Sequence, residues 1–378
     1  MTVRTAILSD YAITPLAFGS EENLSAYLEG RSCLRRHVGT FGIQDPFYAS
    51  LFDREQVEAE AVKAGIPENY SFFEKVAILA AGRAIEASGT DPASPRTAFI
   101  ISSTKGNIER LDNCPGEAPL DVPAARIASF FGNPSTPVVV SVACISGLAA
   151  LIHARRLLTS STRYDRVVVC GAEAYCGFFV SGFQCLKALS ANRCRPFCAD
   201  RDGLNLGEAA ACMVLGRSDD TQLAPWEIVC GAVRNDANHI SGPSRTGEGS
   251  YNCLRAVLPH CEERPAFVSV HGTGTAYNDE MESVALSRAG LLDVPVCAMK
   301  SVFGHTMGAA GILESILSIK SLDKGLVLPT PGFTGGGVSY PVDASPVPRL
   351  ADGNSFIKLL SGFGGCNAAA LFRKGGAR

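Results

Sequence analysis

Residues 138–152 read VVVSVACISGLAALI. A β-branched run meets Cys144, then small residues, then an apolar stretch at helical spacing. A strand that feeds a helix through a small-residue turn lifts the intervening side chain out of the sheet and leaves the first helical N–H groups without partners. Those donors and the helix dipole favour a thiolate over a thiol, and they would hydrogen-bond an oxyanion on an attacked carbonyl. Taken alone, the stretch fits a cysteine packed in a core better than a reactive one.

Three further stretches carry groups that can act on carbonyls. In VSVHGTGTAYNDEMES (268–283) His271 ends an apolar strand, and the small residues after it let backbone and a ligand come close. The hydroxyls of Thr273 and Thr275 could bond an amide-rich ligand or cap a turn. In CAMKSVFGHTMGAAGILES (297–315) Lys300 follows a short strand, His305 sits in a glycine-rich turn, and a helix begins near Gly308. Glu314 on that helix is placed to pair with Lys300 and hold the loop; a solvated lysine and a turn histidine are the plainer readings. In NSFIKLLSGFGGCNAAALF (354–372) an apolar strand runs into GFGG, a turn with one aromatic, Phe363, that joins two strands. It lacks the G-x-x-x-x-G-K-[ST] spacing of a phosphate loop.

Each stretch is a weak signal singly, but their combination and order are specific. ACISG (143–147), RPFCADRDGLNLGEAAACMVL (195–215), HGTGT, K-x-x-x-G-H-x-x-G-A-A-G and GFGG-x-N resemble the β-ketoacyl-acyl-carrier-protein synthases, the Cys-His-His condensing enzymes of the thiolase fold. The resemblance runs over nearly the whole chain and includes the opening VRTAILSDYAITPLAFGSEENLSAYLEGRSCLR. It implies an α/β, thiolase-like fold of two similar βαβ-type halves with mixed sheets, layered α-β-α-β-α.

The resemblance also implies roles. Cys144 is the nucleophile, His271 and His305 the paired histidines, and Lys300 the supporting lysine, with Glu314 its partner. Phe363 is the gating phenylalanine, whose backbone N–H completes an oxyanion hole with that of Cys144. Thr273 and Thr275 hold a pantetheine arm. The reaction is a decarboxylative Claisen condensation of a cysteine-bound acyl group with malonyl-acyl carrier protein, in a fatty acid, polyketide or aryl polyene pathway. Physical logic agrees: the thiolate takes the acyl group, and two imidazoles stabilise the enolate left by decarboxylation without a metal. No cofactor is bound; the phosphopantetheine arm arrives with the acyl carrier protein. The expected assembly is a homodimer, or a heterodimer with a second ketosynthase-like chain. A non-catalytic, chain-length-shaping partner subunit is the alternative reading, although such chains usually lack the nucleophile. A thiolase or acyltransferase on the same fold and a cysteine hydrolase are more remote.

The chain departs from the family pattern in places. Ile145 follows the nucleophile, where a smaller residue is usual, and either narrows the acyl pocket or packs in the helix. Cys198 stands where aspartate is common and Cys366 where threonine is, the latter beside the GFGG turn and so within reach of the pocket. The segment between STKG (103–106) and TPVVVSVA (136–143) is short, which points to a specialised condensing enzyme rather than a housekeeping one.

Alternating elements must position these groups. RTAFIISS (96–103), TPVVVSVA (136–143), RVVVCGAEA (166–174) and PAFVSVHG (265–272) read as buried strands. NYSFFEKVAILAAGRAIEAS (69–88) reads as a helix stopping at Gly89; residues 145–160 and 308–322 read as helices with apolar faces. The polar stretch SDDTQLAP (218–225) suggests a boundary near residue 220, with one half at 1–220 carrying the cysteine and the other at 221–378 carrying the histidines. At 378 residues, 46% of them apolar, the chain can bury a large core. Its net charge of −3 supplies no overall field for nucleic acid or anionic membrane. No stretch is long and apolar enough to span a bilayer, and the first residues lack a signal peptide's apolar core. The reading is cytoplasmic, with the fourteen cysteines mostly reduced, buried thiols. Cys194 and Cys198 do not form a C-x-x-C pair and have no histidine nearby, so no metal site is expected.

Overall fold

The computed structural model describes residues 3–218 and 225–375. Ten strands form one sheet. In chain order they are β1 (Arg4–Ile13), β2 (Thr97–Ser102), β3 (Val138–Val140), β4 (Arg166–Glu173), β5 (Ala209–Ser218), β6 (Trp226–Asn235), β7 (Phe267–Ser269), β8 (Val296–Cys297), β9 (Ser355–Gly362) and β10 (Cys366–Lys374). The order across the sheet is β8-β7-β9-β10-β6-β1-β5-β4-β2-β3. From the middle outward the two halves match. β1–β5 and β5–β4 are antiparallel, followed by parallel β4–β2 and β2–β3. β6–β10 and β10–β9 are antiparallel, followed by parallel β9–β7 and β7–β8. Among the described residues, the two five-stranded sets pair through Ala6 and Ile7 of β1 opposite Glu227 and Trp226 of β6. The expected α/β, thiolase-like architecture is borne out, with its two sheets fused edge to edge. The expected boundary near residue 220 coincides with residues outside those described.

The helices that matter here are α1 (Phe72–Ser88), α2 (Ser146–Ser160), α3 (Gly177–Cys185), α4 (Glu248–Val257), α5 (Ala276–Arg288), α6 (Lys300–Phe303) and α7 (Met307–Asp323). Strand residues alternate between two apolar layers. Val167 and Val169 of β4 face a central layer that holds Leu148, Leu151 and Ile152 of α2 and Ile312, Leu313 and Ile316 of α7. Val168 and Cys170 face an outer layer with Phe73, Val76 and Ala80 of α1. In the second half Phe356 and Leu360 of β9 join the central layer, while Ile357 and Leu359 meet Cys253, Leu254 and Val257 of α4. Burial on both faces explains why these strands read as continuous apolar runs. α1 opens with a capping box, Ser71 and Glu74, and closes at Gly89 with φ 62°, a left-handed position suited to glycine.

The central pair, α2 and α7, carries the site. Their backbones touch: a Cβ on Gly147 would lie 2.8 Å from the carbonyl oxygen of Gly308, and one on Gly311 would lie 2.2 Å from the amide nitrogen of Leu148. Glycine at both positions brings the two helix starts together. Among the described residues, no helix is long and apolar enough to cross a membrane.

Candidate active site

Cys144 lies in the turn between β3 and α2 and is 6% exposed. The turn needs a left-handed residue, and Ala143 supplies it at φ 45°, a strained choice for a residue with a Cβ. Ser146 pins the turn: its hydroxyl donates to the carbonyl of Ala143 (2.6 Å) and accepts from the Val142 amide (2.8 Å). The β9–β10 hairpin closes over this turn. A Cβ on Gly362 would lie 3.1 Å from the Cys144 amide nitrogen. The backbone N–H groups of Phe363 and of Cys144 itself both pull the proton affinity of the sulfur down.

The histidines arrive from the other half. His271 follows β7 and His305 lies between α6 and α7; their ring centroids are 5.1 Å apart at 81°. Cys144 Sγ and one ring nitrogen from each histidine lie within 4.8 Å of one another. The Met307 amide donates to Nδ1 of His305 (3.4 Å), leaving the ring proton on Nε2. Among the described residues, neither that Nε2 nor His271 Nδ1, both buried, meets a hydrogen-bond partner. Two orphaned imidazole nitrogens beside a thiol suit a site that takes up a polar ligand.

Burial lowers the proton affinity of both imidazoles well below the ordinary histidine value, and the positive charge of Lys300 lowers it further. They are therefore neutral, able to accept one proton and to donate another. The thiol differs from the thiolate expected at a helix start. Burial pushes it up to about 11, against the pull of the Phe363 N–H and Lys300. The helix start provides donors, but the same turn lies in a dry cluster with Tyr175, Phe179 and Met307, whose sulfur is 3.8 Å from that of Cys144. Desolvation outweighs the dipole.

Behind the histidines Lys300 is fully buried, donating to the carbonyl of His271 (2.7 Å) and to Glu314 Oε1 (2.7 Å), the pairing anticipated from sequence. Thr273 and Thr275 lie 2.9 Å apart, hydroxyl to hydroxyl, along the wall of the cavity. Phe363 stacks on Phe183, centroids 5.8 Å apart, and both rings line the same cavity. The cavity holds about 330 Å³ and reaches Cys144, His271 and His305. All eight residues singled out from sequence thus converge on it or on the groups directly behind it.

Others were missed. Lys358 in β9 also binds Glu314, at Oε2 (2.5 Å). A lysine inside the apolar run SFIKLLSG was the available signal. Glu282 accepts the amides of His271 (2.6 Å) and Gly272 (2.9 Å), and Asp279 accepts those of Phe197 (2.8 Å) and Thr273 (3.0 Å), so α5 holds the HGTGT turn in shape. Glu173 accepts the Gly308 and Thr104 amides (2.9 and 3.0 Å) and ties the start of α7 to β4. Their spacing along the chain carried no sign of these long-range bonds.

The departures resolve individually. Ile145 is wholly buried in the central layer and does not line the cavity, so it packs rather than narrows. Cys366 does not line the cavity either: its sulfur faces Asn235 Nδ2 (3.7 Å). β10 alternates, and position 366 points away from the cavity. Cys198 is buried and accepts the Thr334 amide (3.3 Å). The short 104–135 segment folds into two 3-10 turns and a helix, Asp121–Phe130, and sends Ile108 against the apolar cluster around Cys144.

The model of the β-ketoacyl synthase N-terminal domain matches residues 12–221 and that of the C-terminal domain residues 226–334. The chain belongs to the β-ketoacyl synthase family. Among curated relatives, this β-ketoacyl synthase is 29% identical to 3-oxoacyl-[acyl-carrier-protein] synthase 2 of Vibrio cholerae, over 96% of this chain and 97% of that one. It is 31% identical to the tetracenomycin polyketide synthase ketoacyl synthase alpha subunit of Streptomyces glaucescens, over 66% of this chain and 62% of that one. The fold is also that of a ketosynthase solved in complex with its chain length factor from Xenorhabdus doucetiae (TM-score 0.86, 20% identity, 98% of each chain). The ishigamide ketosynthase/chain length factor matches similarly (TM-score 0.85, 24% identity, 100% of each chain).

Proposed function

We propose that the chain is an active 3-oxoacyl-[acyl-carrier-protein] synthase that extends an acyl group delivered and retained on an acyl carrier protein. The observation that carries this is the meeting of Cys144 Sγ with a nitrogen of each of two neutral, buried histidines within 4.8 Å, beneath two backbone N–H groups. Because the thiol starts protonated, a neutral imidazole takes its proton as the sulfur attacks the carrier thioester. The N–H groups of Cys144 and Phe363 hold the oxyanion, and the carrier thiol leaves with a proton. A malonyl thioester then enters and loses carbon dioxide. The Nε2–H of His305, with His271, stabilises the enolate oxygen. The enolate carbon attacks the acyl-cysteine, and collapse of the second oxyanion gives the 3-oxoacyl carrier and frees Cys144. Thr273 and Thr275 hold the pantetheine arm by hydroxyl bonds, and Phe363 gates its approach.

The assembly is a homodimer or a pair with a second ketosynthase-like chain, meeting near the β3 edge of the sheet, and its setting is the cytoplasm. The intact nucleophile and histidine pair favour a catalytic chain over a silent partner subunit. Exposure to a panel of acyl-carrier thioesters followed by intact-protein mass should show one acyl group per chain. With malonyl-carrier added, 3-oxoacyl product and carbon dioxide should follow. Cys144→Ala should lose both; condensation that survives this change would overturn the reading.

A further inference from the structure

A lysine wholly inside an apolar sheet is costly unless its charge and donors are matched. Lys358 is fully buried in the middle of β9. Its ammonium reaches the carbonyl of Ser269 (3.1 Å), the carbonyl of Val270 (3.1 Å) and Glu314 Oε2 (2.5 Å). Three pure acceptors require three N–H bonds, and only the protonated amine has three. Lys300 takes the next carbonyl in sequence, that of His271, and the other oxygen of Glu314. The carbonyls of 269, 270 and 271 therefore leave β7 each capped by an ammonium, and one carboxylate serves both lysines. A single lysine would neutralise Glu314. The second leaves this cluster with a surplus positive charge directly behind the imidazoles.

We propose that Lys358 is a second positioning residue for the histidine pair, clamping the end of β7 that delivers His271 and placing an additional positive charge behind both rings. This rests on the condensing reading above, in which the imidazoles work as neutral groups. The charged groups facing His271 come from every side. Glu282 and Asp279 on α5 and Glu314 on α7 are the acidic groups around it; Lys300 on α6, His305 and Lys358 on β9 oppose its protonation, and Cys144 completes the shell. Burial is the largest influence keeping both imidazoles neutral, with Lys300 and Lys358 acting in the same direction. Removing the Lys358 charge must let them take up protons at higher pH.

The test needs no turnover. In protein labelled at the histidine Cε1 positions, with resonances assigned by His271→Gln and His305→Gln, both active-site rings should titrate below pH 6.5. In Lys358→Met the titration should move up by about one pH unit. Lys358→Arg, which keeps the charge, should stay near the wild-type position. If Lys358→Met does not fold, Lys358→Gln keeps donors for the strand carbonyls without the charge and should show the same displacement. A titration unchanged in the uncharged variant overturns the proposal. In turnover, the acid limb of kcat should move upward by the same interval, about a tenfold loss at a pH below the limb, with KM held within about twofold. Wild-type protein that makes no 3-oxoacyl product would refute the condensing reading instead, and the ring titration would still decide the part played by Lys358.

Discussion

Replacing Gly311 by alanine tests how the two halves meet. A Cβ there would lie 2.2 Å from the amide nitrogen of Leu148 and 2.9 Å from the carbonyl carbon of Gly147 and from Leu148 Cα. Every one of these atoms is α2 backbone, so no rotamer change relieves the clash. Ordinary contact begins at 3.4 Å, so α2 and α7 must part by about 1.2 Å where they cross. That crossing lies near both helix starts, three to four residues beyond Cys144 on one side and six beyond His305 on the other. A sulfur and a ring nitrogen now within 4.8 Å would separate by a similar amount. Misplacement of about 1 Å costs roughly 10²-fold in rate, and overpacking a tight core costs about 1–3 kcal/mol of stability. The condensation rate by product mass and the urea midpoint are the measurements. Gly82 on α1 is the control: a Cβ there would meet only the Phe131 ring at 3.7 Å, so Gly82→Ala should keep activity and gain up to about 1 kcal/mol. A Gly311→Ala protein with wild-type rate and midpoint would refute the argument that the glycine crossing sets the geometry.

Further outcomes follow from the same coordinates. With the thiol pushed up to about 11, only about one Cys144 in 10⁴ is ionised at pH 7 in the unliganded protein, so its alkylation by iodoacetamide should keep rising above pH 9 instead of levelling below 8. Mapping the alkylated peptide by mass at each pH checks this. Glu314→Gln leaves two buried ammoniums without a counter-charge and should cost about 3–5 kcal/mol, read from urea unfolding. Thr275→Val removes one hydroxyl of the bonded pair at the cavity wall. It should raise KM for the carrier substrate by about five- to tenfold with kcat nearly unchanged, measured by steady-state product formation.

The sequence alone carried much of this because its signals are local. A β-branched run, a helix period or a stop at Gly89 is decided by neighbours in the chain, and all three appear where they were read. The motif residues were legible as types, and Lys300 with Glu314 as a pair, because both lie on one short stretch. Tertiary structure alone decided what crosses between elements. It brought Lys358 to the same carboxylate from 44 positions away, and it set Glu282 under the His271 turn. It also sets burial against the helix start at Cys144 and pushes the thiol up: helix dipoles can be inferred from the order of residues, but desolvation depends on what packs over the sulfur, here Met307 and Tyr175 from distant parts of the chain. Ile145 and Cys366 show the same limit, since which face of a turn or strand looks into a cavity is settled only once the opposing half is in place.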